Sequence, residues 1–274
     1  MLEQLKYINH QNEVFEFGKD GIFVNTNDLR DYEWSMTHRN NKISVLKREI
    51  STRKLPVVII CTTEEQATAA KNRLMETVEK DVLAMKHGRV VIGDYYYRCF
   101  VTKSQKKNYH FGKQYATFTL TLVSDFPFWV KETTHIFRKI TEAKGGTNLD
   151  FPHDHSFDYF SGMGNKKLVN TDFWSTNFRM IIYGACKNPA VYVDGHCYQI
   201  FDVLENGEYI TIDSITKKIY KTAIDGTQTN VFNLRNRDSY IFEKIPPGSN
   251  MVIWLGDFGV DITLLEERSE PKWT

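Results

Sequence analysis

The sequence predicts a mainly β protein made of two β-rich domains and one helix. Three observations carry that reading. Short apolar runs alternate with turn pairs along Ile181 to Tyr220, where Asn188-Pro189, Asp194-Gly195 and Asn206-Gly207 punctuate the chain. Strict alternation of apolar and polar residues marks Leu29 to Arg39. A single stretch, about 64–86, repeats its apolar residues at helical spacing.

In chain order, residues 1–24 read as two or three short strands, with Lys19-Asp20-Gly21 turning into Ile22-Phe23-Val24. Along Leu29 to Arg39, Tyr32, Trp34 and Met36 fall on one face. Asp31, Glu33, Ser35 and Thr37 fall on the other, as in a half-buried strand. Asn40-Asn41 reverses the chain and Lys42 to Ile50 returns. Leu55 to Cys61 is continuously apolar after Pro56 and predicts a buried strand.

The helix opens on Thr62-Thr63-Glu64-Glu65, a Thr-x-x-Glu capping box in which hydroxyl and carboxylate satisfy orphan amides. Ala67, Ala70, Leu74, Val78 and Val82 share one face. His87-Gly88 should end it, with the glycine in the left-handed cap. Arg89 to Val101 then reads as a hairpin about Gly93-Asp94, and Tyr115 to Val123 as a further strand. Pattern is lost from Ser124 to Lys167, which holds Pro127, Gly145-Gly146, Pro152, Gly162 and Gly164. The domain boundary is placed near Lys139, giving domains of 1–138 and 139–274, the second with a linker at its start. Beyond it, Ala190–Val193, Tyr198–Leu204 and Tyr209–Asp213 read as an antiparallel meander. Pro246 to Asn250 reads as a turn before Met251 to Leu255, and Asp261 to Leu265 as the last strand.

Composition narrows the function. The 274 residues are 41% hydrophobic, 25% charged and 14% aromatic, as in a soluble β-rich protein. A net charge of +1 argues against specific nucleic-acid binding. No apolar run is long enough to span a membrane, and no leader pattern opens the chain. Cys61, Cys99, Cys186 and Cys197 are widely spaced and read as four reduced thiols.

A search for chemistry finds little. The lysines at 103, 106, 107 and 113, with His110, Tyr109 and Phe111, could meet a nucleic acid, but a solvated hairpin tip explains them better. His153-Asp154-His155 with Asp158 is the best metal candidate, yet neighbouring residues rarely converge on one ion. Glu205 and Glu208 have the residue types of a glycosidase pair, but they flank a turn. Ser214 and Ser239 lack a nucleophile-elbow context, and there is no phosphate loop. No catalytic residue, cofactor site or metal site is assigned, and the expectation is a protein that is not an enzyme.

Taken in order, several segments resemble the distal tail (Dit) proteins of long-tailed siphophages and prophages. They are Tyr7-Ile8-Asn9, Phe15-Glu16-Phe17-Gly18, Leu29 to Trp34, Asn72-Arg73-Leu74, Asp81-Val82, Gly88-Arg89-Val90, Tyr96 to Cys99 and Asp125-Phe126-Pro127-Phe128-Trp129. In the second half they are Asn188-Pro189, Gly207-Glu208, Ile212-Asp213, Phe242 to Gly248, Trp254 and Glu266 to Trp273. The resemblance covers nearly the whole chain. It implies an N-terminal tail-tube-like β domain with one helix, six copies of which close a ring around the tail channel. It also implies a C-terminal galectin-like β-sandwich pointing outward. The implied role is a structural hub at the distal end of the virion tail, made in the host bacterial cytoplasm. Its implied partners are further copies of the chain, the tail tube protein, the tail-tip protein and receptor-binding or baseplate proteins. Within this reading Asp31, Tyr32, Glu33, Trp34, Ser35 and Thr37 are the candidate ring interface or channel residues. The alternative is a cell-wall carbohydrate-binding module.

Overall fold

The computed structural model describes residues 4–19, 21–108, 114–140 and 164–273. It divides into two compact units, Met1–Lys131 with Glu267–Thr274, and Glu132–Glu266. The last eight residues therefore fold with the first unit.

The first unit contains β1 (Leu5–Ile8), β2 (Val14–Glu16), β3 (Ile22–Val24), β4 (Ser35–Arg39), β5 (Lys42–Lys47), β6 (Ser51–Ile60), α1 (Glu64–Ala84), β7 (Gly88–Ile92), β8 (Tyr95–Lys106), β9 (Tyr115–Ser124) and the start of β10 (Trp129–Phe137). All its pairings are antiparallel. β8 serves three neighbours: its first half lies between β7 and the start of β10, and its second half, from Phe100 and across an irregularity between Val101 and Lys103, pairs with β9. β7 continues to β1 and β2, while β9 continues to β6 and β3. Between the two arms lies a core that includes Tyr7, Phe15, Ile22, Leu55, Val57, Ile59, Tyr97, Leu120 and Trp129. In β6 only alternate residues, Arg53, Leu55, Val57 and Ile59, are buried, so the continuously apolar stretch is buried on one face and Ile60 is exposed.

α1 closes this core with Ala67, Ala70, Leu74 and Val78, four of the five residues of the stripe predicted from spacing; the fifth, Val82, is half-buried. Both ends differ from expectation by a residue or more. The N-cap is Thr63, whose hydroxyl accepts from the Gln66 amide, so the cap begins one residue later than expected. The left-handed C-cap is Met85, and Gly88 already belongs to β7. Gly88 is required for a different reason. A Cβ there would lie 2.1 Å from Asp81 Oδ2 and 2.2 Å from the Tyr7 hydroxyl. Asp81 is fully buried on the helix. It accepts from Tyr7 OH at 2.6 Å and from the His10 amide at 2.7 Å, and lies 2.6 Å from His10 Nδ1. A buried carboxylate needs such partners; the network ties α1 to the loop after β1.

The second unit holds β11 (Gly164–Asn170), β12 (Asn177–Tyr183), β13 (Cys186–Lys187), β14 (Ala190–Val193), β15 (His196–Gln199), β16 (Val203–Leu204), β17 (Tyr209–Asp213), β18 (Lys218–Thr222), β19 (Gln228–Asn230), β20 (Gly248–Trp254) and β21 (Val260–Arg268). They form a β-sandwich. One sheet runs β19-β18-β17-β12-β21 and the other β11-β20-β14-β15. The core between them includes Phe178, Met180, Ile182, Tyr198, Ile210, Trp254 and Ile262. Phe178 and Tyr198 meet edge to face at 5.1 Å.

The expected meander is corrected here. β14 and β15 do pair about Asp194-Gly195, both at positive φ (48° and 82°). The run Tyr198 to Leu204, however, is broken after Gln199, and β15 and β17 lie in different sheets. At Asn206-Gly207 only the glycine has positive φ, so this is no two-residue hairpin turn. The chain turns there through the Glu208 amide to the Glu205 carbonyl and crosses between sheets. Gly248 to Asn250, expected as a turn, already belongs to β20.

Candidate assembly surface

The most unusual surface of the first unit is the ribbon of β4 and β5. Asn40 and Asn41, at φ 50° and 60°, make the turn that asparagine tolerates best among residues with a side chain. Ser35 pairs with Lys47, Met36 with Leu46 and Thr37 with Val45, after which the register shifts at Ser44, whose hydroxyl donates to the Thr37 carbonyl at 2.9 Å. The ribbon pairs with no other strand among the described residues. Met36 is 53% exposed, Ile43 58% and Leu46 54%. Paired residues share a face, so Met36 and Leu46 lie on one side and Val45 on the other. Both faces of the ribbon therefore carry apolar side chains into solvent.

The strand expected from Leu29 begins only at Ser35, and nothing in it is half-buried in the predicted alternating way. Residues before Ser35 gather at the foot of the ribbon instead. The Arg48 guanidinium stands 5.7 Å from the Tyr32 ring, 5.6 Å from Trp34 and 5.2 Å from Phe128. Asp31, Tyr32, Glu33 and Ser35 line a recess of about 460 Å³ with Asp28 and Arg48. Thr37 lies out on the ribbon. The six candidate residues thus belong to one region, but not to one strand face.

The foot is anchored by residues the sequence did not single out. Arg53 is 2% exposed and its guanidinium donates to the Leu29 carbonyl, which also accepts from the Trp129 indole at 3.2 Å. It stacks over the Tyr97 ring at 4.2 Å. Burial lowers its pKa, opposed by the Tyr97 phenol. One signal was available: Arg53 is in phase with the buried Leu55, Val57 and Ile59. The C-terminal tail closes on the same region, where Arg30 donates to the Pro271 carbonyl at 2.8 Å and lies 3.9 Å over the Trp273 ring.

The other candidates separate. Glu208 accepts from the Glu205 amide and from Lys221 at 2.7–2.8 Å, and the Lys221 hydrogen bond holds its carboxyl below the usual range. It is tied into the turn. Lys103 and Lys107 are exposed, and Lys106 donates to Ser104 and lies over Phe118. Tyr109, His110, Phe111, Lys113 and the His153 to Asp158 group fall outside the described residues. Among the described residues no three His, Cys, Asp or Glu side chains gather as metal ligands. None of the four cysteines is disulfide-bonded, and burial pushes the Cys99 thiol up to about 12. In the second unit Trp174 is 68% exposed and Phe173 77%. Their loop is held by buried Asn170, which donates to the carbonyls of Trp174, Ile245 and Pro246.

No protein-family model matches the sequence, and no curated protein matches it significantly. Solved structures do. A chain of the phage P2 baseplate in its activated conformation with calcium is 13% identical, with a TM-score of 0.63 over 99% of this chain and 100% of that one. The same baseplate with strontium gives the same values. The Dit protein of SPP1, described as a paradigm of the hub adsorption apparatus in phages infecting Gram-positive bacteria, is 9% identical. Its TM-score is 0.57 over 96% of this chain and 99% of that one. The chain has the fold of a Dit protein. The likeness spans both units, at identities where the fold alone is shared.

Proposed function

We propose that this chain is a structural distal tail protein. It forms a hexameric ring that joins the tail tube of a long-tailed phage or prophage to its tail tip and baseplate. The observation that carries the reading is the β4–β5 ribbon within a fold shared end to end with a Dit protein. An isolated two-stranded ribbon is marginal in water, and apolar groups on both its faces call for a covering surface outside the unit. A ring of identical copies supplies one. Residues to about 138 form the ring, with Asp31, Tyr32, Glu33, Trp34, Ser35 and Thr37 at or beside the contact. The second domain, from about 139, carries the contacts to tail-tip, receptor-binding or baseplate proteins. The role is assembly, not catalysis, and its place is the distal end of the virion tail. Light scattering over a wide concentration range is the test. A species of six times the 32.0 kDa chain mass is expected. A chain that stays monomeric at high concentration, and is absent as a ring from tail-tip images, sinks the reading.

One observation favours a second reading, a carbohydrate-binding module in the second unit. Phe173 and Trp174 stand in solvent on a loop fixed by hydrogen bonds, as a sugar platform requires. Against it, Asn170 and Thr176 are buried and engaged in holding that loop. Titration with cell-wall oligosaccharides, followed by tryptophan fluorescence in the intact chain and in Trp174→Ala, separates the readings.

A further inference from the structure

The first unit carries an apolar projection and a partly apolar recess at opposite ends of one strand. The projection is the β4–β5 ribbon, which joins β6 at Ser51. The recess lies at the other end, where a space of about 530 Å³ between β6 and the start of α1 has an apolar wall of Ile60, Cys61, Ala69 and Ala70 and a polar one of Thr62, Gln66 and Arg73. Its surroundings are apolar as well: Ile60, Phe23 and Tyr115 are all exposed, and Tyr115 pairs with Ile60. The ten residues of β6 separate the two features by about 30 Å at 3.3 Å per residue.

Charge distinguishes them in the same sense. The ribbon's turn is flanked by Arg39 and Lys42, with His38 before them and no carboxylate from Ser35 to Arg48. The recess opens beside the first turn of α1, which carries Glu64 and Glu65. The ribbon tip is basic and apolar, and the recess offers apolar walls with two carboxylates beside it; the one cation in its lining, Arg73, donates to the Val14 carbonyl.

We infer that the ribbon of one copy inserts into the α1–β6 recess of the next, with Ile43 and Leu46, on one face of the ribbon, covering Ile60 and Ala69, and Arg39 and Lys42 facing Glu64 and Glu65. The occupant of the recess is a second copy of this chain. Such a contact joins two different surfaces of identical subunits, which is the heterologous geometry that closes a ring. It also covers the ribbon's apolar faces. The inference rests on the ring reading and names its contact.

Native Cys61 makes the test direct. Ile43→Cys adds to the four native thiols one on the ribbon tip without touching the core, since Ile43 is exposed. Mild oxidation of the assembled full chain should give a ladder of disulfide-linked copies on a non-reducing gel, ending at the closed ring. Adding Cys61→Ser should abolish it. Leu83→Cys, on an exposed part of α1 away from the recess, should not link to Cys61. Arg39→Glu with Lys42→Glu should weaken assembly about tenfold or more, and Glu64→Lys with Glu65→Lys in the same chain should restore it. A ring that forms without the Ile43→Cys ladder, or that links Leu83→Cys equally well, overturns this contact and leaves the ring standing. A wild-type chain that never assembles overturns both.

Discussion

Two hairpins in this molecule use the same turn chemistry and meet opposite fates. The ribbon β4–β5 reverses at Asn40-Asn41 and the hairpin β14–β15 at Asp194-Gly195, each with both central residues at positive φ. The second is absorbed into a four-stranded sheet, with Val191, Val193 and Tyr198 buried in the sandwich core. The first joins no other strand among the described residues and buries none of its own residues. Local geometry makes a hairpin; only burial makes it part of a cooperative core. A hairpin without burial in its own unit is a candidate for burial in an assembly.

The largest effect should come from the buried hairpin. Tyr198→Ala removes a side chain that is 1% exposed, its edge contact with Phe178 and its hydrogen bond to the Glu243 carbonyl. It should cost about 3–5 kcal/mol in denaturant unfolding of the second unit. A loss below about 1 kcal/mol would erase the contrast between the hairpins.

Next is the ribbon's foot. Arg53→Leu keeps the buried bulk but withdraws the guanidinium from the Leu29 carbonyl, leaving that carbonyl to Trp129. About 1–3 kcal/mol should be lost from the first unit. If the variant is instead more stable, the buried charge costs more than its contacts return.

The turns sharpen the comparison further. Gly195→Ala, at φ 82° in open surroundings, should cost about 1 kcal/mol of second-unit stability. Asn41→Ala imposes similar local strain but should leave the main unfolding transition of the unassembled chain where it was, because the ribbon opens independently. Equal shifts would show that the ribbon unfolds with its unit.

The smallest effect on stability should be Leu46→Ser, within about 0.5 kcal/mol in the monomer because the side chain is already exposed. Its effect on assembly should be large. Unchanged ring formation would remove Leu46, and with it this face of the ribbon, from the contact.

Legibility in the sequence followed the range of the interaction. The α1 stripe, the hairpins about Gly93 and Gly195 and the late strands were readable because each is set by residues a few positions apart. The cap was off by one residue, since Thr62 and Thr63 offer the same hydroxyl and only Thr63 binds the Gln66 amide. Gly88 reads as a helix cap from its neighbours, whereas what excludes a side chain there is Asp81 on the helix together with Tyr7, distant in the chain. At the candidate site the alternation of Tyr32, Trp34 and Met36 imitated a strand. Arg48 instead collects Tyr32 and Trp34 with Phe128, a residue from another part of the chain.

The sequence by itself determined the β class, the single helix, the position of most turns and the family whose fold the chain shares. These rest on periodicity, on residues that accept positive φ and on the order of short segments. Only the tertiary structure decided that β14–β15 and β17 fall in different sheets, that Arg53 is buried beneath the ribbon and that the ribbon itself is left uncovered. Burial is a property of what packs against a residue from elsewhere in the chain. A run of alternating apolar residues looks the same whether its partner is the unit's own core or the surface of another copy.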